Sequence, residues 1–330
     1  MPKRWSTKDV DILRPPSEHE PGLATFRFTD DYSVFHYSKM PDRIPDKGEA
    51  LGRMAAYTLR RLEQAGVPTH MVAFDPPRTM TVKFLRILDP ARGELHPGDR
   101  ARLVPLQVIY RNRLPPGASV FRRLAAKKVT LDELGLTGLP TPGATLKTPI
   151  IEFTTKLEEI DRFITHAEAQ ALAALSDAQV AEVKRLAHVI NGVVNEIAQS
   201  RGLTYADGKV EFGIDGDGRV ILVDTAGTAD ENRFTLDGVH VTKQILRDFY
   251  LARGLEADVQ RWAAEGRPRS TWPTPEPLPG DLLSLVADMY RSLCELWTGE
   301  TIWGAPPLYD LASKLRAWQL PAPQSATRPS

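Results

Sequence analysis

The stretch KVEFGIDGDGRVILVDTAGTADENRF, residues 209–234, concentrates groups able to bind phosphate or metal. KVEFGID and RVILVD read as strands, and Asp217-Gly218 between them is the dipeptide of a two-residue type I′ hairpin loop. That register makes Gly216 face Arg219, Ile214 face Ile221 and Phe212 face Val223, and it sets Glu211 opposite Asp224. Directly opposed side chains lie ~4.5–5.5 Å apart at Cβ, where like charges repel. A divalent cation turns that repulsion into coordination, because Mg²⁺ takes oxygen ligands and commonly uses one or two carboxylates together with substrate phosphates. The plainer alternative is a solvated hairpin face, whose acids need no partner. Lys209, two residues before Glu211 on the same face, and Asp230 and Arg233 just past the second strand give that alternative more charge to explain.

A second basic stretch is YRNRLPPGASVFRR, where a strand ending in Arg111-Asn112-Arg113 runs into a turn with Gly117 and Ser119. Guanidinium groups beside a turn with free N–H groups and a hydroxyl make a cradle for phosphate or carboxylate. An ordinary exposed basic loop has the same composition. No Walker P-loop, GxGxxG or GxSxG motif is present. The seven histidines are scattered without HExxH or a close pair, which argues against a zinc site.

The elements that must position these groups belong to a chain of 330 residues, long enough for two domains or one large one. Lys+Arg and Asp+Glu balance at 42 each, so no global field points to nucleic acid and no polybasic block to a membrane. The one cysteine, Cys294, excludes an intrachain disulfide and suits a helix core. The start lacks an apolar signal-peptide core and no run reaches the ~20 apolar residues of a membrane span, so a soluble cytoplasmic protein is expected.

Residues 24–38 read as two short strands around a turn at Asp30-Asp31, and 47–66 as a helix closed by Gly66. HMVAFD, TMTVKFLRIL and LVPLQVIYRNR read as strands. Helices are expected at 166–175, at 177–201 behind a Ser176-Asp177 cap, at 240–253, at 281–298 and near 308–318. The expected fold class is α+β. A small β-rich lobe spans 1–110, a larger α+β lobe spans 111–320, and LPAPQSATRPS closes the chain as a disordered tail at 321–330.

The order of motifs resembles the phosphoribosylaminoimidazole-succinocarboxamide (SAICAR) synthetase family of purine biosynthesis. The residues that carry the resemblance are DRIPDKGEAL, AGVPTH, TVKFL, VPLQVIYRNRLPPGAS, TPIIEFTTK, GKVEFGID, VDTAGTADENRF and TKQILRDFYL, within residues 24–300. It implies a two-lobed fold with an ATP cleft between the lobes. It also implies an ATP-dependent ligase that phosphorylates an azole ribonucleotide carboxylate and lets the amine of L-aspartate attack the acyl phosphate. By the same resemblance, Glu211 and Asp224 are the Mg²⁺–ATP carboxylates, with Lys209 and Lys83 near the nucleotide. Arg111 and Ser119 contact the ribonucleotide phosphate, while Asp230 and Arg233 hold the azole. Lys47 lies in a lysine-glycine element, and Asp161 matches an acid in a substrate or aspartate loop. Lys209, Asp230 and Arg233 are the expected catalytic group, and relatives commonly form homo-oligomers.

Departures from the pattern fall at the expected sites. EPGLATFRF keeps Gly22 but has Leu23 and Ala24 where the resemblance implies phosphate-covering lysines. Gln107 replaces an acid, Thr225 follows Asp224 in place of a second acid, and Ala229 replaces a proline. Ile160 stands at a usual histidine, and the arginine turn is two residues longer. These changes point to a paralogue acting on a related azole carboxylate in specialised nucleoside (antibiotic-type) biosynthesis. The alternatives are the housekeeping purine-pathway synthetase and a non-catalytic nucleotide-binding protein.

Overall fold

The structure is a computed structural model and describes residues 3–4, 7–35, 37, 40–115, 118–158 and 160–319. The expected disordered tail and Gly117 of the arginine turn lie outside the described residues.

Alternating burial organises the first sheet. Its strands are β1 (Lys3–Arg4), β2 (Lys8–Arg14), β3 (Gly22–Phe28), β4 (Met71–Asp75) and β5 (Thr79–Phe84), in the order β1-β2-β3-β5-β4. In β3 the alternation turns Ala24, Phe26 and Phe28 inward. Helix α1 (Lys47–Gln64) packs on this sheet through Leu51, Met54, Ala55, Leu59 and Leu62, and Gly66 ends it in a left-handed conformation.

The second sheet holds β6 (Arg102–Arg113), β7 (Thr145–Thr155), β8 (Phe163–Ile164), β9 (Thr204–Ile214), β10 (Val220–Val223), β11 (Asn232–Leu236) and β12 (Val239–His240). Its order is β12-β11-β9-β6-β7-β8, with β10 also pairing β9. Around it lie α2 (Ser119–Ala125), α3 (His166–Leu172), α4 (Asp177–Ser200), α5 (Gln244–Leu251), α6 (Leu255–Ala264), α7 (Gly280–Thr298) and α8 (Leu308–Leu315). Ser176 caps α4 in a reciprocal capping box with Gln179. One apolar core joins α1, α4, α7 and both sheets. The architecture is α+β and two-lobed, as expected. No helix among the described residues is long and apolar enough to cross a membrane.

The structure corrects several expectations. The boundary expected at 110/111 falls inside β6, which pairs along both edges with β7 and β9 and belongs wholly to the second sheet. The two strands expected around Asp30-Asp31 reduce to β3 and one isolated bridge, Val34–Tyr37, because the segment turns to meet α1. Strand β2 and helices α2 and α6 were not anticipated. The hairpin register also differs: Val220 pairs Ile214, Leu222 pairs Phe212, and Glu211 pairs Val223, not Asp224. The cause is Asp215, whose carboxylate accepts from the N–H groups of Asp217 and Arg219 and so closes a three-residue loop with Gly218 left-handed.

The partners of β9 decide where a site can form. Residues 204–208 of β9 pair with β11, whereas 211–214 pair with β10. The exchange leaves Lys209 at the split, its N–H given to the carbonyl of Glu231 in the connection between β10 and β11. Gly208 just before it has no room for a side chain: a Cβ there would lie 2.2 Å from Asn232 Oδ1 and 2.3 Å from Tyr205 Oη. Gly208→Ala is expected to lower stability by about 1–3 kcal/mol, the usual cost of overpacking, measured as an earlier chemical-denaturation midpoint.

Candidate active site

A cleft opens where the two sheets meet. Lys83, Lys156, Glu211, Asp224 and His70 line its polar side; Phe26, Phe84, Leu85, Ile87, Leu103 and Val223 form the apolar remainder. The structure thus brings Glu211 and Asp224 together, although not as a directly opposed pair. Asp224 leaves β10 with φ 62, a left-handed backbone that aspartate tolerates at a cost of about 1 kcal/mol. This turn carries its carboxylate into the cleft.

Each acid has a lysine. Lys156 Nζ lies 2.5 Å from Glu211 Oε1, and Lys8 Nζ pairs with Asp224 Oδ1. Lys8 comes from β2, is buried, and lies 5.6 and 5.4 Å from the ring centroids of Phe26 and Phe28. Burial opposes ionisation of Asp224, but Lys8 and Lys156 outweigh it and hold the carboxyl down at about 2. Ala24 lies fully buried within β3, and half-buried Leu23 pairs Lys83 of β5, so neither position holds a cation of its own. The strand before them supplies it instead. His70 is buried beside the same acid, its Nε2 3.0 Å from the Asp224 carbonyl oxygen, and burial keeps the ring neutral, with its pKa at about 4. Lys83 is exposed at the cleft and makes no ion pair among the described residues.

Beyond Lys209 the charges change character. Lys47 at the start of α1 is fully buried, 2.9 Å from Asp230 Oδ2 and 3.2 Å from the Asp31 carbonyl. Tyr290 of α7 donates to Asp230 Oδ1 at 2.7 Å, and Lys243 stands 3.7 Å from Oδ2. Burial raises the Asp230 pKa, but Lys47 and Lys243 prevail and hold it well below the usual carboxylate range. Burial pulls Lys243 down to about 8 against the attraction of Asp230. Lys209 itself reaches Glu231 at 3.1 Å; burial disfavours its charge, yet Glu231 and Glu211 hold it above its ordinary value.

Arg111 is not an open cradle. It is buried, 2.6 Å from Glu152 and 3.3 Å from Asp207, and Arg123 of α2 shares Glu152 from the other side. Arg233 forks onto Asp207 at 2.7 Å through Nε and again through Nη2. Ser119 opens α2 and is half-buried. Asp161 accepts from Gln107 Nε2 at 3.0 Å, placing it beside Thr154 and across β6 from Glu211. Arg247 of α5 faces Arg233, Glu231 and Asp207, and its guanidinium makes no ion pair among the described residues.

Sequence reasoning missed Lys8, Lys156, His70, Lys243 and Arg247 as site residues. All but Lys8 stand within quoted motifs, namely TPIIEFTTK, AGVPTH and TKQILRDFYL. For Lys8 the only available signal was the alternation of KDVDILR.

The two lobes meet at a cleft lined by paired carboxylates and lysines, and beyond Lys209 the guanidinium groups of Arg111 and Arg233 converge on Asp207, so the site is a charged interlobe cleft of an α+β protein. The SAICAR synthetase sequence profile matches residues 17–261, and the chain belongs to the SAICAR synthetase family. It is 35% identical over 327 residues to an Archaeoglobus fulgidus protein assigned as a phosphoribosylaminoimidazole-succinocarboxamide synthase, covering 94% of this chain and 98% of that one. The synthase of Thermoplasma acidophilum is 31% identical over 282 residues, covering 83% and 92%. Among solved structures, the Saccharomyces cerevisiae SAICAR synthase complexed with SAICAR matches with TM-score 0.65 at 23% identity, over 91% of this chain and 95% of that one. A SAICAR synthetase (type 2) in complex with ADP matches with TM-score 0.58 at 22% identity, over 84% of this chain and 100% of that one.

The Lys8–Asp224 pair makes a pH prediction. A carboxyl lowered on folding contributes stability that is present above its unfolded pKa and lost as pH falls through its folded value. Stability that Lys8→Met removes is therefore expected to be constant near neutrality and to shrink between about pH 4 and about pH 2, read from denaturation midpoints of both proteins across that range.

Proposed function

We propose that this protein is an ATP-dependent ligase joining the amine of L-aspartate to the carboxylate of an azole ribonucleotide, the SAICAR synthetase reaction. The observation that carries the reading is the place of Lys209 where β9 changes partners, ion-paired with Glu231 at 3.1 Å and within the field of Glu211 and Asp224. On the cleft side, Lys8, Lys83 and Lys156 suit phosphates, the two acids suit a cation, and the apolar wall suits a base. On the other side, Arg233, Arg247, Lys243 and Lys47 suit a ribonucleotide carrying a phosphate and a carboxylate.

The donor set fits Mg²⁺. Among the described residues no cluster of three or more His, Cys, Asp or Glu side chains forms a closed metal cage. Two carboxylates plus nucleotide phosphates are the usual magnesium arrangement and need no such cage. Glu211 and Asp224 would hold the ion, which when bound supplies charge neutralisation at the transferring phosphoryl group. The lysines now paired with these acids would be freed for the phosphates.

The chemistry follows from the poor reactivity of carboxylates. An azole carboxylate oxygen attacks the γ-phosphorus of ATP and ADP leaves, giving an acyl phosphate. The aspartate amine then attacks the acyl carbon, phosphate departs with the bonding pair, and the amine loses a proton. Lys209, Asp230 and Arg233 are the groups assigned to orient and neutralise these species, with Asp230 locked by Lys47 and Tyr290. Lys8 supplies the cation that Leu23 and Ala24 lack, which favours the ordinary synthetase. A related azole carboxylate, the first expectation from the sequence, becomes the second reading, favoured by Gln107, whose neutral amide grips Asp161 where the family resemblance implies an acid.

ADP release with Mg-ATP, L-aspartate and carboxyaminoimidazole ribonucleotide is expected to require all three components. Turnover only with a different azole carboxylate would select the second reading, and no turnover with any would sink the ligase. Asp224→Asn is expected to lower kcat/KM for ATP by about 10²–10³-fold, the scale of losing one charge-stabilising group, while circular dichroism shows an intact fold.

A further inference from the structure

Asp224 can serve the cleft only while its backbone stays left-handed, and among the described residues no backbone hydrogen bond of a tight turn at residue 224 enforces that. What holds it is a side chain from the other lobe. The main chain at 68–70 is clamped on both sides: Leu222 N–H donates to the Pro68 carbonyl at 2.8 Å, His70 N–H to the Leu222 carbonyl at 2.9 Å, and Lys83 N–H to the His70 carbonyl at 2.8 Å. The imidazole is further fixed edge-on against Phe26, ring centroids 5.7 Å apart. Its Nε2 meets the Asp224 carbonyl oxygen at 3.0 Å, and that acceptor dictates the Nε2–H tautomer.

We infer that His70 is a positioning residue for Asp224: by donating Nε2–H to the Asp224 carbonyl it fixes the peptide plane that keeps residue 224 left-handed and its carboxylate in the cleft. Without that donor, residue 224 relaxes toward the extended region continuous with β10 and swings the carboxylate away from Lys8. The inference rests on the reading of the cleft as a magnesium–nucleotide site, since it assigns His70 the task of making Asp224 available to that complex. It also ties the sites to the lobes: the same histidine docks the first sheet on β10 and sets the acid.

The test exploits the reach of two amides. The amide nitrogen of glutamine stands about as far from the backbone as imidazole Nε2, whereas that of asparagine stops one carbon short. ADP affinity is measured by calorimetry with Mn²⁺ present and with chelator present, for the intact protein, His70→Gln and His70→Asn. The expected result is that Mn²⁺ tightens ADP binding to the intact protein and to His70→Gln within about threefold of each other. His70→Asn is expected to lose at least tenfold of that metal-dependent gain while keeping its metal-free affinity and its thermal midpoint near that of His70→Gln. Equal behaviour of the two variants, or parallel loss of metal-free affinity and midpoint in His70→Asn, would show a merely structural histidine and overturn the inference. If the intact protein shows no metal-dependent gain at all, the reading of the cleft fails first and takes this inference with it.

Discussion

The fully buried ammonium of Lys47 is the constraint around which the molecule is arranged. An isolated ammonium in a protein interior is prohibitively costly, so its partners must all arrive in the folded state. They come from three distant segments: the Asp31 carbonyl beside β3, Asp230 in the connection between β10 and β11, and Tyr290 of α7, whose ring centroid lies 5.5 Å from Nζ. The interaction therefore fixes the start of α1 against both the second sheet and the C-terminal helices. A buried ion pair of this kind can be replaced by apolar residues without loss of stability, so stability alone does not explain it. What it gives is a carboxylate whose two oxygens are both held, with Lys243 3.7 Å from one of them and 3.4 Å from Ser33 Oγ.

The same logic runs across the cleft. Lys8 and His70 belong to the first lobe, and both act on Asp224 of the second; Lys156 follows directly on β7 and Glu211 lies in β9 of the second sheet. Each lobe alone would carry an unneutralised charge at its surface. Docking the first sheet on β10 through the Thr69–Leu222 bridge neutralises those charges and forms the cleft in one event. Site and lobe interface are for this reason one structure.

The sequence disclosed the fold class, most helices and the main clusters of site residues because these rest on local signals. Alternation marks β3 and β5, a 3.6-residue period marks α1, and Ser176 marks the start of α4. What stayed hidden depended on competition between equally local signals. Asp217-Gly218 argues for a two-residue loop, yet Asp215 two residues earlier offers its carboxylate to two N–H groups and wins, shifting the register by one. A shift of one turns every side chain over, which is why the expected Glu211–Asp224 opposition failed although both acids reach the cleft. Lys8 was invisible for another reason: its partner is Asp224, more than two hundred residues away, and nothing near it in the chain foretells a buried ammonium.

These corrections change the weight of the departures from the family pattern. Leu23 and Ala24 first suggested a weakened phosphate clamp, but they occupy an inner strand, and Lys8 on the neighbouring strand brings its charge to the same cleft. The acids no longer oppose each other, so their mutual repulsion is not the argument for retained chemistry. The argument is desolvation. Lys8, Glu211 and most of Asp224 and Lys156 are withdrawn from water, and a cleft with no ligand to bind would be at least as stable lined by apolar residues. Four charges so largely desolvated, in two pairs that a cation and a polyphosphate could exchange with, are what the proposed ligase reading accounts for and a relic does not. Gln107 is different in kind, because its neutral amide lies between two acids, donating to Asp161 and standing opposite Glu211 across the strand pair. The departure at Gln107 therefore changes the charge beside Glu211, at the edge of the cleft, whereas Leu23 and Ala24 leave the cations of the cleft in place.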